Sequence, residues 1–357
     1  MARRPVSARL AVARVVLTTG LLLAVSQTPS VVVGAASPQC EFTGVDRIVA
    51  IGDVHGAYER FVEILQASGL IDKKEKWTGG RTHLVQTGDI LDRGAGSRKA
   101  EDLLMRLQDD AKKAGGMVHP LLGNHEIMRM VGDMRYVAPG EYEAFTSSRS
   151  EDIRQEILNR AAGKITAADV PLGLIEMRMA YAENGRYGKW LRTLNTVEKI
   201  NGIVFLHGGI SPTVAEMSCD VINDTIRREI TDEIEKMRAE PTFGLAGSEQ
   251  GPLWYRGLAQ EPPTFETALD DILAKQHAEA IVVGHTVVQT GRITQRFGGK
   301  VIQIDTGMQQ GYVPTGKASA LDIQNGVFTA IYVDGRVPLP RVPARTLEVV
   351  PAAAAGR

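Results

Sequence analysis

The chain has 357 residues, of which 43% are hydrophobic, so it can bury one large core and one domain of catalytic size is expected. Its formal net charge is −1 at pH 7, and lysine and arginine form no run outside the extreme N-terminus. This composition argues against a nucleic-acid groove, and nucleic acid is not an expected partner.

The N-terminus has the order of residues found in a secretory signal peptide. Four arginines and no acidic residue occur in residues 1–14, an apolar stretch runs from Val15 to Val25, and small residues follow at 34–36. The apolar stretch is shorter than the roughly 20 residues that a membrane span needs. We therefore predict that residues 1–36 are a signal peptide and that the protein is periplasmic or secreted. A retained membrane anchor is the alternative.

The sequence contains only two cysteines, Cys40 and Cys219, and this excludes a disulfide-rich scaffold. An oxidising compartment would permit one bridge between them. Two unpaired thiols are the alternative interpretation, and the sequence does not decide between the two.

Predicted strands and helices alternate in the first part of the chain. Residues 46–52, 82–88 and 117–122 are predicted strands, and apolar residues at helical spacing follow the first two. We predict Ser97 as the N-cap of the second helix and Gly115 as its end. Strands that alternate with amphipathic helices pair in parallel through right-handed crossovers, so the carboxyl ends of these strands should meet at one edge of a sheet.

The character of the sequence changes after the third strand. Residues from about 130 to 200 are charged and rich in Met and Ala, which predicts a helical insert. Residues 336–357 hold four prolines and an alanine run, which predicts an extended tail. Short β-like runs occupy residues 202–207, 280–285, 301–305, 318–323 and 327–333.

Polar side chains follow most of these strands. Ligands bind at the carboxyl edge of the strands in open α/β sheets, so these side chains should surround one site. Two carboxylates, an amide oxygen and three imidazoles suit manganese, iron or zinc better than calcium, and six donors suit two ions that share a bridging carboxylate. The polar pieces are "GDVHG" with Asp53 and His55, "GDILDRG" with Asp89, Asp92 and Arg93, "GNHE" with Asn124, His125 and Glu126, "HGG" with His207, and "GHT" with His285.

The ordered set of "GDVHG", "GDILDRG", "GNHE" and "HGG" resembles the metallophosphoesterase superfamily, and within it the phosphoprotein phosphatase branch that includes the Shewanella-like phosphatases. The resemblance covers roughly residues 46–335. It implies an α/β fold, the calcineurin-like sandwich of two mixed β-sheets flanked by helices, and a cofactor of two divalent ions. Manganese is the expected metal, with iron and zinc as alternatives. The ligands that it implies are Asp53 and His55 for the first ion, Asp89 as the bridge, and Asn124, His207 and His285 for the second ion.

The resemblance also implies a role for the remaining polar residues. A hydroxide held between the two ions would attack phosphorus in line, and Arg93 and Arg256 would bind the substrate phosphate. His125 would protonate the leaving oxygen as general acid, and Asp92 would hold it. We predict a structural hydrogen-bonding role for Glu126, which has no catalytic duty in this interpretation.

The expected function is therefore hydrolysis of a phosphomonoester, either on a protein at Ser, Thr or Tyr or in a small molecule. A nucleotide phosphohydrolase such as a diadenosine tetraphosphatase is one alternative, although that type resembles "ARG" where this chain has "DRG" at 92–94. A non-catalytic metal-binding pseudophosphatase is the other, although it would be expected to lack a ligand and none is missing. After "IDTG" at 304–307 the "SAPNY" segment of eukaryotic serine/threonine phosphatases is absent, so we expect poor inhibition by toxins that use that loop.

Overall fold

The computed structural model describes residues 39–340, which contain two six-stranded β-sheets with helices against them. The predicted signal peptide and residues 341–357 lie outside the described part of the chain. No helix within 39–340 is long and apolar enough to cross a membrane.

The elements follow one another in the order below, with short 3₁₀ turns at 167–169, 263–265 and 297–299. The strands are β1 (Glu41–Phe42), β2 (Arg47–Ile51), β3 (His83–Gln86), β4 (Met117–Pro120), β5 (Val197–Ile200), β6 (Ile203–Leu206), β7 (Ala280–Val283), β8 (Thr294–Arg296), β9 (Val301–Gln303), β10 (Ser319–Gln324), β11 (Val327–Tyr332) and β12 (Gly335–Leu339). The helices are α1 (Tyr58–Ala67), α2 (Ser97–Lys113), α3 (Asn124–Val131), α4 (Pro139–Glu143), α5 (Ser150–Ala161), α6 (Leu174–Tyr181), α7 (Arg186–Leu191), α8 (Cys219–Asp232), α9 (Ile234–Ala239), α10 (Gly244–Gly247), α11 (Gly257–Gln260) and α12 (Glu266–Lys275).

The first sheet has the strand order β12-β11-β10-β2-β3-β4. Strands β2, β3 and β4 are parallel, as the alternation of strands and helices predicts, and β10 to β12 extend the sheet in antiparallel pairs. Both faces of β2 are covered: Ile48 and Ala50 pack between the two sheets with Phe205, whereas Val49 packs toward Phe61 of α1. Burial on both faces explains why the strand "RIVAI" is almost continuously apolar.

The second sheet has the strand order β1-β5-β6-β7-β9-β8 and also mixes parallel and antiparallel pairs. Its central strands β6 and β7 are parallel, so their carboxyl ends lie at one edge. Helix α8 packs against β5, while α1 and α2 pack on the first sheet. The predicted fold of two mixed sheets flanked by helices is therefore confirmed.

Three boundaries differ from the sequence-based expectation. The helical insert expected from about 130 to 200 ends at Leu191, because 197–200 form β5 and pair with β6. The start of the predicted tail belongs to β12, an edge strand that tolerates Pro338 because a strand at the edge needs fewer N–H donors. The N-cap of α2 is Gly96, not Ser97, whose hydroxyl donates to the Gly94 carbonyl at 3.4 Å.

Cys40 and Cys219 form a disulfide, so the bridge and not the pair of free thiols is present. Their Cα atoms are 6.2 Å apart, which is an ordinary separation for a bridge. The bond ties the residue before β1 to the first residue of α8. The described N-terminal segment is thus held to the second sheet by strand pairing and by a covalent link.

Candidate metal centre

All six predicted metal ligands are buried, and all lie where strands of the two sheets end. His55, Asp89 and His285 have positive φ angles of 48°, 56° and 63°. Non-glycine residues adopt this left-handed conformation at a cost, and it is concentrated at functional sites. The ligands follow the strands in this order: Asp53 and His55 after β2, Asp89 after β3, Asn124 after β4, His207 after β6 and His285 after β7.

Three possible metal-ligand atoms converge on Nε2 of His207. Its Nε2 lies 2.9 Å from Asn124 Oδ1, 3.0 Å from His285 Nδ1 and 3.2 Å from Asp89 Oδ2. Donors that each bind one ion at about 2.1 Å stand roughly 3 Å from one another, so this spacing suits a single ion. The four residues are those expected at the second metal position.

A second group of donors shares the same carboxylate. His55 Nε2 lies 3.5 Å from Asp89 Oδ2 and 3.9 Å from Asp53 Oδ2. Asp89 Oδ2 is therefore close to both groups, as a bridging ligand must be. His125 Nε2 faces the same space at 3.8 Å from Asp89 Oδ2.

The three predicted histidine ligands are each oriented by a backbone carbonyl. Nδ1 of His55 is 2.8 Å from the Leu91 carbonyl, and Nδ1 of His207 is 2.9 Å from the Thr87 carbonyl. In His285 the opposite nitrogen is oriented: its Nε2 lies 3.2 Å from the Trp254 carbonyl. A ring N–H that donates outward leaves the other nitrogen as an acceptor toward the centre, which is the usual support of a metal-binding histidine.

The charges inside the cluster also suit a cation. Burial lowers the pKa of His55 to about 3 and that of His285 to about 2, so both rings are neutral, the form that binds metal. Burial favours neutral His207 as well, but the carboxylates of Asp89 and Asp53 outweigh it and raise the pKa of His207 to about 9. An incoming metal ion would therefore displace a proton from His207.

Asp305 is a site residue that the sequence analysis missed. It follows β9 at the same edge, and its Oδ2 is buried without a hydrogen-bond partner in the described structure. Burial raises the pKa of Asp305 to about 6, and burial together with the charge of Asp305 raises the pKa of Asp53. Buried carboxylates that repel one another in this way need a compensating charge, so the residues present fit divalent cations. Its position two residues after the end of the "VIQ" strand was the available signal.

His125 and Asp92 form a buried pair beside the ligands. His125 Nδ1 lies 2.6 Å from Asp92 Oδ2, which directs Nε2 toward Asp89. Burial opposes a charge on His125, but the carboxylates of Asp89 and Asp92 outweigh it and raise its pKa. Asp92 is held ionised because its bonds to His125 and to Arg129 lower its pKa despite burial. The pair can present a proton on Nε2.

The two predicted phosphate-binding arginines lie in different surroundings. Arg93 is half-buried, and its Nη2 lies 3.4 Å from His125 Nε2. Arg256 is exposed and donates to the carbonyl of His285 at 2.8 Å and to Thr286 Oγ1 at 3.1 Å. Within residues 39–340 no carboxylate or carbonyl group pairs with the side chain of Arg93, whereas Arg256 is bonded to the loop that carries a predicted ligand.

The order and geometry of these residues match a known family. A family model described as "Calcineurin-like phosphoesterase" matches residues 46–289, more than half of the chain. This chain belongs to the calcineurin-like phosphoesterase family. The resemblance seen in the sequence motifs is thus confirmed.

Several relatives of this calcineurin-like phosphoesterase resemble it along most of their length. Shewanella-like protein phosphatase 2 of Arabidopsis thaliana is 31% identical over 76% of this chain and 74% of its own. Shewanella-like protein phosphatase 1 of Plasmodium berghei is 30% identical over 73% of this chain and 67% of its own. The crystal structure of a cold-active protein-tyrosine phosphatase from a psychrophilic Shewanella species is 31% identical, covers 85% of this chain and 83% of its own, and has a TM-score of 0.68. Together these findings support a metal-dependent phosphatase.

Glu126 supports the backbone of this phosphoesterase site. Its carboxylate accepts the N–H groups of Asp89 at 2.8 Å, Ile90 at 2.9 Å and Gly123 at 2.8 Å. These bonds hold the loop after β3 against the start of α3. This is the structural role that the sequence predicts for Glu126.

A buried arginine that the sequence analysis also missed lies beneath the pair of His125 and Asp92. Arg129 Nη2 donates to Asp92 Oδ1 at 2.6 Å and to Glu141 Oε2 at 2.8 Å. Glu141 belongs to α4, so the helical insert reaches under the site. Arg129 lies one helical turn after His125 on α3, but its place in the apolar run "IMRM" gave no sign of its partners.

We expect Arg129→Leu to lower the free energy of unfolding by about 3–5 kcal/mol, because it removes the buried cation that Asp92 and Glu141 share. Denaturant titration of the purified protein measures this. Arg135→Leu is the matched control: Arg135 is exposed and pairs with Asp133, so its loss should cost roughly 0–1 kcal/mol. Similar losses in both variants would contradict the structural importance of the buried pair.

Proposed function

We propose that this protein is a phosphoric monoester hydrolase that holds two divalent ions and acts on phosphorylated protein side chains. The observation that carries the proposal is the shared carboxylate of Asp89. Its Oδ2 lies 3.2 Å from His207 Nε2 and 3.5 Å from His55 Nε2, so one oxygen borders both donor groups. A carboxylate placed in this way can bind two ions at once, as a two-ion phosphatase site requires.

The proposed ligands divide between the two positions. When bound, two such ions would supply a hydroxide that is nucleophilic near neutral pH and would offset charge on the phosphate. The mixture of imidazole, carboxylate and amide donors favours manganese, with iron and zinc as alternatives. The first ion would be held by Asp53, His55 and Asp89, and the second by Asp89, Asn124, His207 and His285.

The other residues would act on the substrate. Arg93 lies beside the proposed metal ligands without a carboxylate partner among the described residues and would bind the non-bridging phosphate oxygens, with Arg256 as the second phosphate-binding residue. His125 would give its Nε2 proton to the leaving oxygen, and Asp92 keeps the ring charged and oriented. A proton donor is needed most by esters with poor leaving groups, such as those of serine and threonine.

The relatives support a protein substrate. Two of them are named protein phosphatases, and the similar crystal structure is that of a protein-tyrosine phosphatase. A small phosphomonoester is the alternative substrate, and a nucleotide phosphohydrolase or a non-catalytic pseudophosphatase is the alternative function.

A substrate panel tests the proposal. Purified protein with manganese should hydrolyse phosphopeptides and para-nitrophenyl phosphate, should leave diadenosine tetraphosphate intact, and should lose activity when a chelator removes the metal. Preferential cleavage of the dinucleotide would favour the nucleotide phosphohydrolase. Metal binding without hydrolysis of any of these esters would favour the pseudophosphatase.

We also propose that the protein is exported. The signal-peptide pattern in residues 1–36 and the Cys40–Cys219 disulfide support this, because such bonds persist in oxidising compartments. In cells that express the full chain, the mature protein should be found in the periplasm or the medium and should begin near residue 37. Full-length protein in the membrane fraction would favour the retained anchor.

A further inference from the structure

A groove of about 380 Å³ opens beside the proposed metal centre, and it has no role in the function proposed above. Part of its wall is the backbone of Gly56, the residue after the predicted ligand His55. Another part is the segment 95–96, which begins two residues after Arg93. Gln309 also lines the groove, and its Nε2 donates to the His55 carbonyl at 3.3 Å. The groove therefore begins within a few residues of both the first metal position and the proposed phosphate-binding arginine.

Helices α1 and α2 both begin at this groove. Each follows one of the paired parallel strands β2 and β3, and right-handed crossovers bring both helix starts to the sheet edge at which the predicted ligands lie. The N-cap residues, Ala57 and Gly96, make no side-chain hydrogen bond to the first helical turn. The N–H groups at a helix start carry partial positive charge, so the backbone here favours an anion. The side chains of the same two turns add full charges.

Two cationic side chains line this groove without an anionic partner. Arg60 is the third residue of α1 and Lys99 is the third residue of α2. Among residues 39–340 neither side chain forms an ion pair, and Nε of Arg60 is buried without a hydrogen-bond acceptor. Nζ of Lys99 lies 5.6 Å from the centre of the Tyr58 ring. Glu59 is the one carboxylate among the described residues of the lining, and it is exposed, so two positive charges stand against one negative charge.

We propose that the groove binds acidic side chains of a phosphorylated peptide, so that phosphorylation sites flanked by Asp or Glu are the preferred substrates. This rests on the phosphatase function proposed above. Neighbouring residues of an extended peptide are about 3.3–3.6 Å apart, so residues close to the phosphorylated one can enter the groove while the phosphate reaches Arg93. Their carboxylates would pair with Arg60 and Lys99, to which the described part of the chain offers no carboxylate.

The test uses two phosphopeptides that differ only in the residues flanking the phosphorylated one, which are Asp in one peptide and Asn in the other. The manganese-loaded wild type should have the higher kcat/KM for the Asp peptide. Arg60→Gln and Lys99→Gln should each reduce the ratio of the two kcat/KM values by about 2- to 5-fold, as expected for loss of one partly exposed charge pair. Arg60→Lys keeps the charge and should keep most of the ratio. Added salt should lower the wild-type ratio, because salt screens such pairs.

Two further variants separate the groove from the net charge of the protein. Glu59→Gln removes the carboxylate of the groove and should raise the ratio. Lys113→Gln also removes one positive charge from α2, but at the last residue of the helix, roughly 21 Å along its axis from Lys99. Lys113 is exposed and lies outside the groove lining, so this variant should leave the ratio unchanged.

Each outcome supports or overturns the inference. A wild-type preference for the Asp peptide that falls in Arg60→Gln or Lys99→Gln supports it. Equal kcat/KM values for the two peptides, or a preference that both variants retain, overturn the inference alone, as does cleavage of para-nitrophenyl phosphate without cleavage of either peptide. If none of these esters is cleaved, both the inference and the proposed phosphatase function are wrong. Arg60 is only partly buried and Lys99 is exposed, so both Gln variants should fold, and thermal unfolding verifies this.

Discussion

Asp89→Asn is expected to reduce phosphatase turnover by at least about 10³-fold, since the variant loses several kcal/mol of charge stabilisation that two ions would give to the transition state. The substitution keeps the shape of the side chain and removes its negative charge. Asp89 Oδ2 borders both donor groups, at 3.5 Å from His55 Nε2 and 3.2 Å from His207 Nε2. Neutralising it should therefore weaken both proposed metal positions at once.

Metal content and turnover of the Asp89→Asn enzyme should be measured on the same sample. We expect fewer than two ions for each chain, with a kcat at the background of the assay. Asp322→Asn provides the matched control, because Asp322 is also a buried aspartate but pairs with Arg47 outside the site. The control should keep both metal and turnover. An Asp89→Asn enzyme that holds two ions and turns over normally would refute the bridge.

His125→Asn should lower kcat by about 10²–10⁴-fold while the metal content stays unchanged, because it removes the proposed general acid and none of the proposed ligands. Its Nδ1 is engaged by Asp92 at 2.6 Å, and its Nε2 points toward Asp89 at 3.8 Å. The loss should be larger for a phosphoserine peptide than for para-nitrophenyl phosphate, because para-nitrophenolate leaves without needing a proton.

Asn124→Ala is the counterpart, one residue earlier in the chain. Asn124 Oδ1 lies 2.9 Å from His207 Nε2 within the second donor group, so this variant should lose affinity for metal. Its turnover should recover in part as the manganese concentration is raised, whereas that of His125→Asn should not. Equal losses of bound metal and of turnover in both variants would contradict the assignment of Asn124 as a ligand and His125 as the proton donor.

The sequence by itself determined the features that depend on short stretches of neighbouring residues, namely the strand order of the first half and the polar residues at the strand ends. The alternating strands and helices predicted the parallel β2-β3-β4 order, and the polar triplets after the strands predicted which side chains meet. This works because parallel strands joined by right-handed crossovers place their carboxyl ends at one edge. The six proposed ligands and the pair of His125 and Asp92 are in this class, since each lies within a few residues of a strand end.

The tertiary structure decided every feature that depends on contact between distant segments. Glu141 comes from the helical insert to meet Arg129, and Cys40 pairs with a cysteine 179 residues away. Tyr136 and Tyr312 flank one guanidinium from two unrelated loops. The sequence around each of these residues does not reveal its contacts. The neighbours of a buried arginine or an exposed tyrosine in the sequence are the same whether or not a distant segment packs against it. The spacing of the motifs could place the candidate site residues, whereas only the packing of distant segments could show which residues support them.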